Sequence, residues 1–331
     1  MRVFDLHIDT LAKALEPGVD LLAGAPGAMA DLPRLRRAGS LGAVWAACDD
    51  VHLHGASSAG RVVRMIAAGL DLAARAGERL RIVRTAEDLA ACTRPGGPQA
   101  MLLAVEGAHS LAGSLEMLVA FHALGVRLLT LTWNHANPFG SGCRSDPRED
   151  RGLTPLGREL FAEAGRLGIV LDFAHASAAT FDGALEASAG PPLVSHTACA
   201  ALRPHPRNLT DEQLRRVAAA GGVAGITFCP AFLAERDATL DDLVAHVRHA
   251  VETAGPEAVA LGSDFDGVPG LPAGIAGCED WPLVIAALER GGLTPATIEA
   301  VAWKNAVRLL EGALLPCGRE PAGGHEAEKT R

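Results

Sequence analysis

The sequence predicts an α/β chain folded as a (β/α)8 TIM barrel. Short β-rich runs recur eight times over about 300 residues, with amphipathic helical patterns between several of them. Strand and helix in alternation imply parallel strands. No GxGxxG follows the first run, as a doubly wound nucleotide-binding sheet would require. Several runs also end on a histidine or a carboxylate, and the C-terminal ends of its strands are where a barrel gathers its chemistry.

The first run, Arg2–Asp9, alternates two kinds of side chain. Val3, Asp5, His7 and Asp9 share one face of a strand, and Phe4, Leu6 and Ile8 share the other. Taken alone, an edge strand with a solvated polar face accounts for this as well as a buried site does. The second run, Leu41–Cys48, is apolar throughout, and the third, Met101–Glu106, ends on a carboxylate. The fourth, Arg127–Asn134, leads into His135. The helical pattern "GRELFAEAGRLG" then stops at a glycine before the fifth run, Gly168–His175. Pro192–His196 is the sixth, and "TDEQLRRVAAAGG" is the helix that follows it. Gly222–Phe228 and Ala258–Phe265, the latter carrying Asp264, complete the set. No compositional shift marks a linker, so residues 1–315 form one domain, and the polar, glycine-rich segment 316–331 is expected to be loosely ordered.

Composition excludes several classes of function. With 49% hydrophobic and 21% charged residues among 331, the chain is globular and rather apolar. A net charge of −9 without a dense Lys/Arg run argues against nucleic acid as a partner. Seven cysteines, odd in number and without a CxxC pair, read as free thiols in a reducing compartment. The N-terminus lacks the pattern of a secretory signal, and the uncharged stretch Val217 to Ala234 is broken by Gly221, Gly222 and Pro230. No membrane span is expected, and the location expected is cytoplasmic.

The strand ends bring together His7, Asp9, Glu106, His175, His196 and Asp264. Imidazoles and carboxylates without a thiolate suit Zn²⁺, with Mn²⁺ and Co²⁺ as chemical alternatives. Six such groups are too many for one tetrahedral ion. Two ions about 3.5–4 Å apart, bridged by a carboxylate and a hydroxide, would use them.

The segments "DLHID", "VEGAHSL", "LTWNHANPFGSG", "GLTPLG", "GIVLDFAHAS", "PLVSHTACAALRPHPRNLTDEQL" and "ALGSDFDGVPG" resemble, in order and over about residues 2 to 312, the membrane (renal) dipeptidase family of zinc peptidases. The most specific features are two histidines twenty-one residues apart, an arginine eleven residues after the second, and the DFDG segment. The resemblance implies an amidohydrolase-like (β/α)8 barrel with two Zn²⁺ per chain. It assigns His7 and Asp9 to one ion, His175 and His196 to the other, Glu106 to the bridge, and Asp264 to catalytic acid/base work. Arg207 would grip the C-terminal carboxylate of a dipeptide, a task suited to a guanidinium fork. The implied reaction is hydrolysis of a dipeptide by a metal-bridged hydroxide, with D-residues tolerated at the C-terminal position. A homodimer is also compatible with the resemblance. A related binuclear metal amidase or lactonase acting on a specialised metabolite is the alternative.

The chain departs from the family pattern at "LTWNHANPF", where Trp133 stands in place of a substrate-contacting histidine. His135, two residues on, is the substitute candidate for substrate binding, because alternate positions share a strand face. His52, His54, His122, His205, His246, His249 and His325 read as surface residues, and His109 as a residue beside the site. Asp266 reads as a turn stabiliser, and Asp172, of the wrong parity to join His175, as structural.

Overall fold

The computed structural model describes residues 2–49 and 56–314. Within them nine parallel strands form one sheet: β1 (Val3–Ile8), β2 (Ser40–Cys48), β3 (Leu80–Ile82), β4 (Gln99–Glu106), β5 (Val126–Thr130), β6 (Val170–Asp172), β7 (Leu193–Thr197), β8 (Val223–Ile226) and β9 (Val259–Leu261). The path runs β1-β2-β4-β5-β6-β7-β8-β9. Ile8 bridges to Phe265, and Asp9 N donates to Phe265 O at 2.8 Å while Asp264 N donates to His7 O at 3.0 Å, so the two ends of the path meet. The result is the nearly closed eight-position barrel that the strand count predicts.

The strand missing from the eight-run reading is β3. It pairs with β4 at Gln99–Met101, where β2 already occupies the other side, while β5 pairs with β4 further on at Leu103–Val105. It therefore fills the start of the position that β5 completes. Three residues are too few to show a period. Elsewhere the predicted runs are off by one to several residues: the second and third start one and two residues late, most others overrun the observed strand at its C-terminal end, and the fifth also begins two residues early, at a glycine that ends a helix. Gly168, at φ +68°, is the left-handed cap of the helix Pro155–Leu167, which opens on Thr154 accepting from Gly157 N at 3.0 Å. The helix Asp211–Ala219 opens on a reciprocal cap between Thr210 and Gln213.

Two apolar clusters surround the strands. The smaller takes Phe4, Leu6, Val44, Ala46, Leu102 and Ala104 among others from all eight positions, together with Ala306, Val307 and Leu310 of the helix Asn305–Ala313. It is the barrel interior with its floor. Asn305 Nδ2 donates to Val259 O at 2.8 Å and Pro256 O at 2.7 Å, which places that helix against the start of β9. The larger cluster, with Trp45, Leu103 and Val105, lies between the strands and the surrounding helices. In β1 the expected alternation holds through Leu6. Its register with β2 then shifts between Asp5 and Ile8, and Ile8 joins Val3 in the outer cluster rather than Phe4 and Leu6.

No helix among the described residues is long and apolar enough to cross a membrane. The six described cysteines are free thiols. Cys317, His52, His54, His325 and the segment 316–331 lie outside the described residues.

Candidate metal centre

The six strand-end residues meet at one end of the barrel, all buried. Glu106 Oε1 is the hub, lying 2.9 Å from His175 Nε2, 3.4 Å from His196 Nε2 and 3.7 Å from His7 Nε2. His7 Nε2 is 3.4 Å from Asp9 Oδ2, and the His175 and His196 Nε2 atoms are 3.0 Å apart. Three ligand-like groupings overlap there: His7, Asp9 and Glu106; Glu106, His175 and His196; and His7, His196 and Asp264.

The local backbone is bent to present these groups. His175 (φ +63°) and Asp264 (φ +65°) both adopt the left-handed conformation, unusual for residues with a Cβ and typical of functional positions held by their surroundings. Asp266 (φ +67°) accepts from Thr10 Oγ1 at 2.6 Å and Met29 N at 2.7 Å, so it joins the loop after β1 to the loop after β9 rather than serving its own turn alone. A Cβ on Gly267 would overlap Asp9 Oδ2 and Asp264 Oδ1, so glycine lets the chain pass beside both carboxylates.

Electrostatics and proton placement fit bound cations. Burial pushes Asp264 well above the ordinary carboxylate range, and the neighbouring Asp9 adds to the effect. Burial and then Glu106 likewise raise Asp9. Burial opposes charge on His7, but Glu106 and Asp9 outweigh it and push the imidazole up to about 10. Burial also acts to raise Glu106, yet the charge on His7 and the His175 and His196 rings beside it hold its carboxyl well below the usual range. His175 is lowered to about 4 by burial and by Arg207, so its ring is neutral and carries one proton at neutral pH.

Nδ1 of His175 faces Asn134 Oδ1 at 3.0 Å, which assigns that proton to Nδ1. Nε2 of His175, Nε2 of His196 and the Glu106 oxygen then converge as lone pairs with no proton to share. Neither His7 ring nitrogen nor Asp9 Oδ1 has a hydrogen-bond partner among the described residues. Buried lone pairs converging in this way, three carboxylates beside them, are a donor set for divalent cations.

A cavity of about 750 Å³ opens on the cluster, lined by Asp9, Glu106, His175 and Asp264 and, beyond them, by Arg207, Arg144 and Phe232. Arg207 is 4% exposed, donates Nη2 to His196 O at 3.0 Å, and has its guanidinium carbon 5.4 Å from the centre of the Phe232 ring. Its Nε has no hydrogen-bond partner, and no carboxylate pairs with the guanidinium among the described residues. His205, read from sequence as a surface residue, supports this arginine. It accepts from Arg207 N at 3.2 Å, stacks 4.4 Å from Phe232, and is lowered to about 4 by burial and by Arg207.

Other expectations need correction. His135 is exposed and absent from the cavity wall, because β5 ends at Thr130 and strand alternation does not continue through the turn. Trp133 lines the cavity and stacks on His175 with ring centres 5.8 Å apart. His246 is a core residue, accepting from Cys199 N and bonding Leu233 O, both at 3.0 Å. His249 pairs with Asp211 at 2.7 Å, and the His109 ring packs on Gly107 in the turn after Glu106. Asp172 is structural as read, but it lies closer to the site than parity suggested, through Ser195 and His196.

Comparisons with known proteins point to one family. The family model described as membrane dipeptidase (peptidase family M19) matches residues 1–315. An uncharacterized dipeptidase of Schizosaccharomyces pombe is 37% identical over 236 residues, which are 70% of this chain and 57% of that protein. Among solved structures, dipeptidase AC, a metallopeptidase of family M19, is 29% identical with a TM-score of 0.88 over 95% of this chain and 99% of that one. A metallopeptidase from Rhodobacter sphaeroides, liganded with a phosphinate mimic of the dipeptide L-Ala-D-Ala, is 28% identical with a TM-score of 0.88 over the same shares. The match spans just over half the length of several of these curated relatives, including the two Schizosaccharomyces pombe proteins.

Proposed function

Because the chain belongs to the membrane dipeptidase family, peptidase family M19, we propose that it is a metal-dependent hydrolase of dipeptides with two divalent ions, Zn²⁺ by family, at the barrel mouth. The observation that carries this reading is the buried Arg207 guanidinium, without an acidic partner, in the same cavity as the six converging ligand groups. A buried cation left unpaired beside a metal centre suits an anionic substrate group, and a peptide's terminal carboxylate matches the planar fork.

His7 and Asp9 would hold one ion, His175 and His196 the other, and Glu106 would touch both. Ions held there supply an activated water and polarise the scissile carbonyl. Arg207 fixes the C-terminal carboxylate and so sets the distance to the bond that is cut, which favours dipeptides over longer chains. Asp264 accepts a proton from the attacking water and returns it to the leaving amine. The phosphinate mimic of L-Ala-D-Ala in the Rhodobacter sphaeroides relative supports a D-residue at the C-terminal position here. The free thiols of the described cysteines fit a reducing, cytoplasmic location.

Two experiments test this reading. A panel of L,L- and L,D-dipeptides and their C-terminal amides should show hydrolysis of the acids and at least about ten-fold loss with the amides, and Arg207→Lys should remove that preference without lowering bound metal. Equal turnover of acid and amide by the wild type would exclude a dipeptidase and favour an amidase. Elemental analysis should find two ions per chain, with Glu106→Gln reducing both. Near-normal metal content in that variant would take Glu106 out of the bridging role.

A further inference from the structure

Asp5 and Asp172 make the same local arrangement at two places in the barrel. Both are fully buried. Each accepts a backbone N–H from two residues further along, His7 N at 3.2 Å or Ala174 N at 3.0 Å. Each also takes the N–H and the hydroxyl of one serine on a neighbouring strand end. Ser263 donates to Asp5 at 2.8 and 2.5 Å, and Ser195 donates to Asp172 at 2.8 and 2.6 Å. Each serine stands immediately before a residue of the metal cluster, Asp264 or His196.

Asp172 also accepts from Thr130 Oγ1 at 2.9 Å, and the two sites differ further at the serine oxygen. Ser195 Oγ lies 2.8 Å from His196 Nδ1, whereas Ser263 Oγ otherwise meets only backbone among the described residues, His7 O at 3.4 Å and Phe265 N at 3.2 Å. Since the Ser195 hydroxyl donates its proton to Asp172 Oδ2, its oxygen is left to accept, and His196 must present Nδ1–H to it. That assigns the free Nε2 lone pair of His196 to the cluster. Asn134 Oδ1 sets His175 in the same way at 3.0 Å. Among the described residues His7 has no such partner on either nitrogen, and its ring rests instead on His196 with centres 3.9 Å apart.

We propose that the two metal positions are unequal by construction. The His175–His196 position, with both rings locked by Asn134 and by the Asp172–Ser195 relay, holds its ion tightly, and the His7–Asp9 position holds the ion that exchanges. A ligand fixed in the correct tautomer and orientation pays no ordering cost when the ion arrives, and outer partners of this kind alter metal affinity by about 10- to 100-fold. Ser195 and Asp172 are thus positioning residues for the metal centre. The inference rests on the two-ion reading given above.

The test is zinc release from the purified full chain under increasing chelator, read by elemental analysis, with folding checked by circular dichroism. The wild type should lose its two ions in separate phases, and His7→Ala should lack the weaker phase while keeping the stronger. Ser195→Ala should weaken the stronger phase by about 10- to 100-fold, and Ser195→Thr, which keeps a hydroxyl, should restore it. Ser263→Ala removes the same carboxylate contact but touches no imidazole, so it should leave the stronger phase in place. Release of both ions in one phase, loss of the stronger phase in His7→Ala, or equal shifts from Ser195→Ala and Ser263→Ala would overturn the proposal. A wild type that binds a single ion would overturn the two-ion reading and this inference with it. Bound zinc is read directly, so a failure of dipeptide hydrolysis is a separate result.

Discussion

Asp264→Asn should lower kcat for a dipeptide by about two to four orders of magnitude while leaving the fold and most bound metal in place. Asparagine offers an oxygen at the same position but cannot accept and return a proton. Asp264 is the carboxylate best placed for that exchange, since it lines the cavity, follows the serine anchored by Asp5, and is held well above the usual range by burial and by Asp9. Cations bound beside it would draw that pKa back down toward the working pH, where proton transfer in both directions is efficient. The sign of the pH dependence follows. The ionised form accepts the proton, so the wild-type rate falls as pH drops through this pKa, and the variant should lose that limb. Rate profiles and zinc content measured on the same preparations decide between roles. Full zinc with near-wild-type kcat would exclude the proton shuttle, and lost zinc would make Asp264 chiefly a ligand.

Gly267→Ala should abolish activity almost as completely, by a different route. The added methyl would overlap the carboxylate oxygens of both Asp9 and Asp264, one from each end of the barrel seam. Backbone bonds from Asp9 N to Phe265 O at 2.8 Å and from Asp264 N to His7 O at 3.0 Å hold both main chains in place, so the methyl is accommodated by turning the carboxylates away from the metal positions. Bound metal should therefore fall along with kcat, whereas circular dichroism should stay near that of the wild type. Alanine at Gly270, where a Cβ meets open space, is the matched control and should keep its metal. Normal metal content in Gly267→Ala would show that the carboxylates adapt and that the glycine is not required for the site.

The barrel and its six converging groups were legible in the sequence because each signal is local. A strand-end His or Asp in a run of apolar residues can be read without knowing its neighbours. The supporting layer was not legible for the opposite reason. Asp172 and Ser195 lie twenty-three residues apart and look ordinary until β6 and β7 are placed side by side. Asn134 reads as the last residue of a β-rich run until the fold brings His175 within 3.0 Å of it. Gly267 resembled one more loop glycine, since what requires it is the nearness of Asp9, 258 positions earlier. His135 misled because strand parity was carried past the end of the strand. His246 misled because a polar residue in an amphipathic helix was taken as solvated, when Cys199 and Leu233 supply partners from two other segments.

The packed interior beneath the metal cluster has a consequence for traffic. Phe4, Leu6, Leu102 and Leu128 fill the barrel, and the helix Asn305–Ala313 closes it below, so no route to the cluster runs along the barrel axis and access is from the cavity side. On the proposed reaction, substrate and both products would share that side. The amino acid released from the C-terminal side would still bear the carboxylate that Arg207 is proposed to hold, so it would leave last and compete with the next dipeptide, which would make throughput sensitive to how quickly the surroundings remove free amino acids.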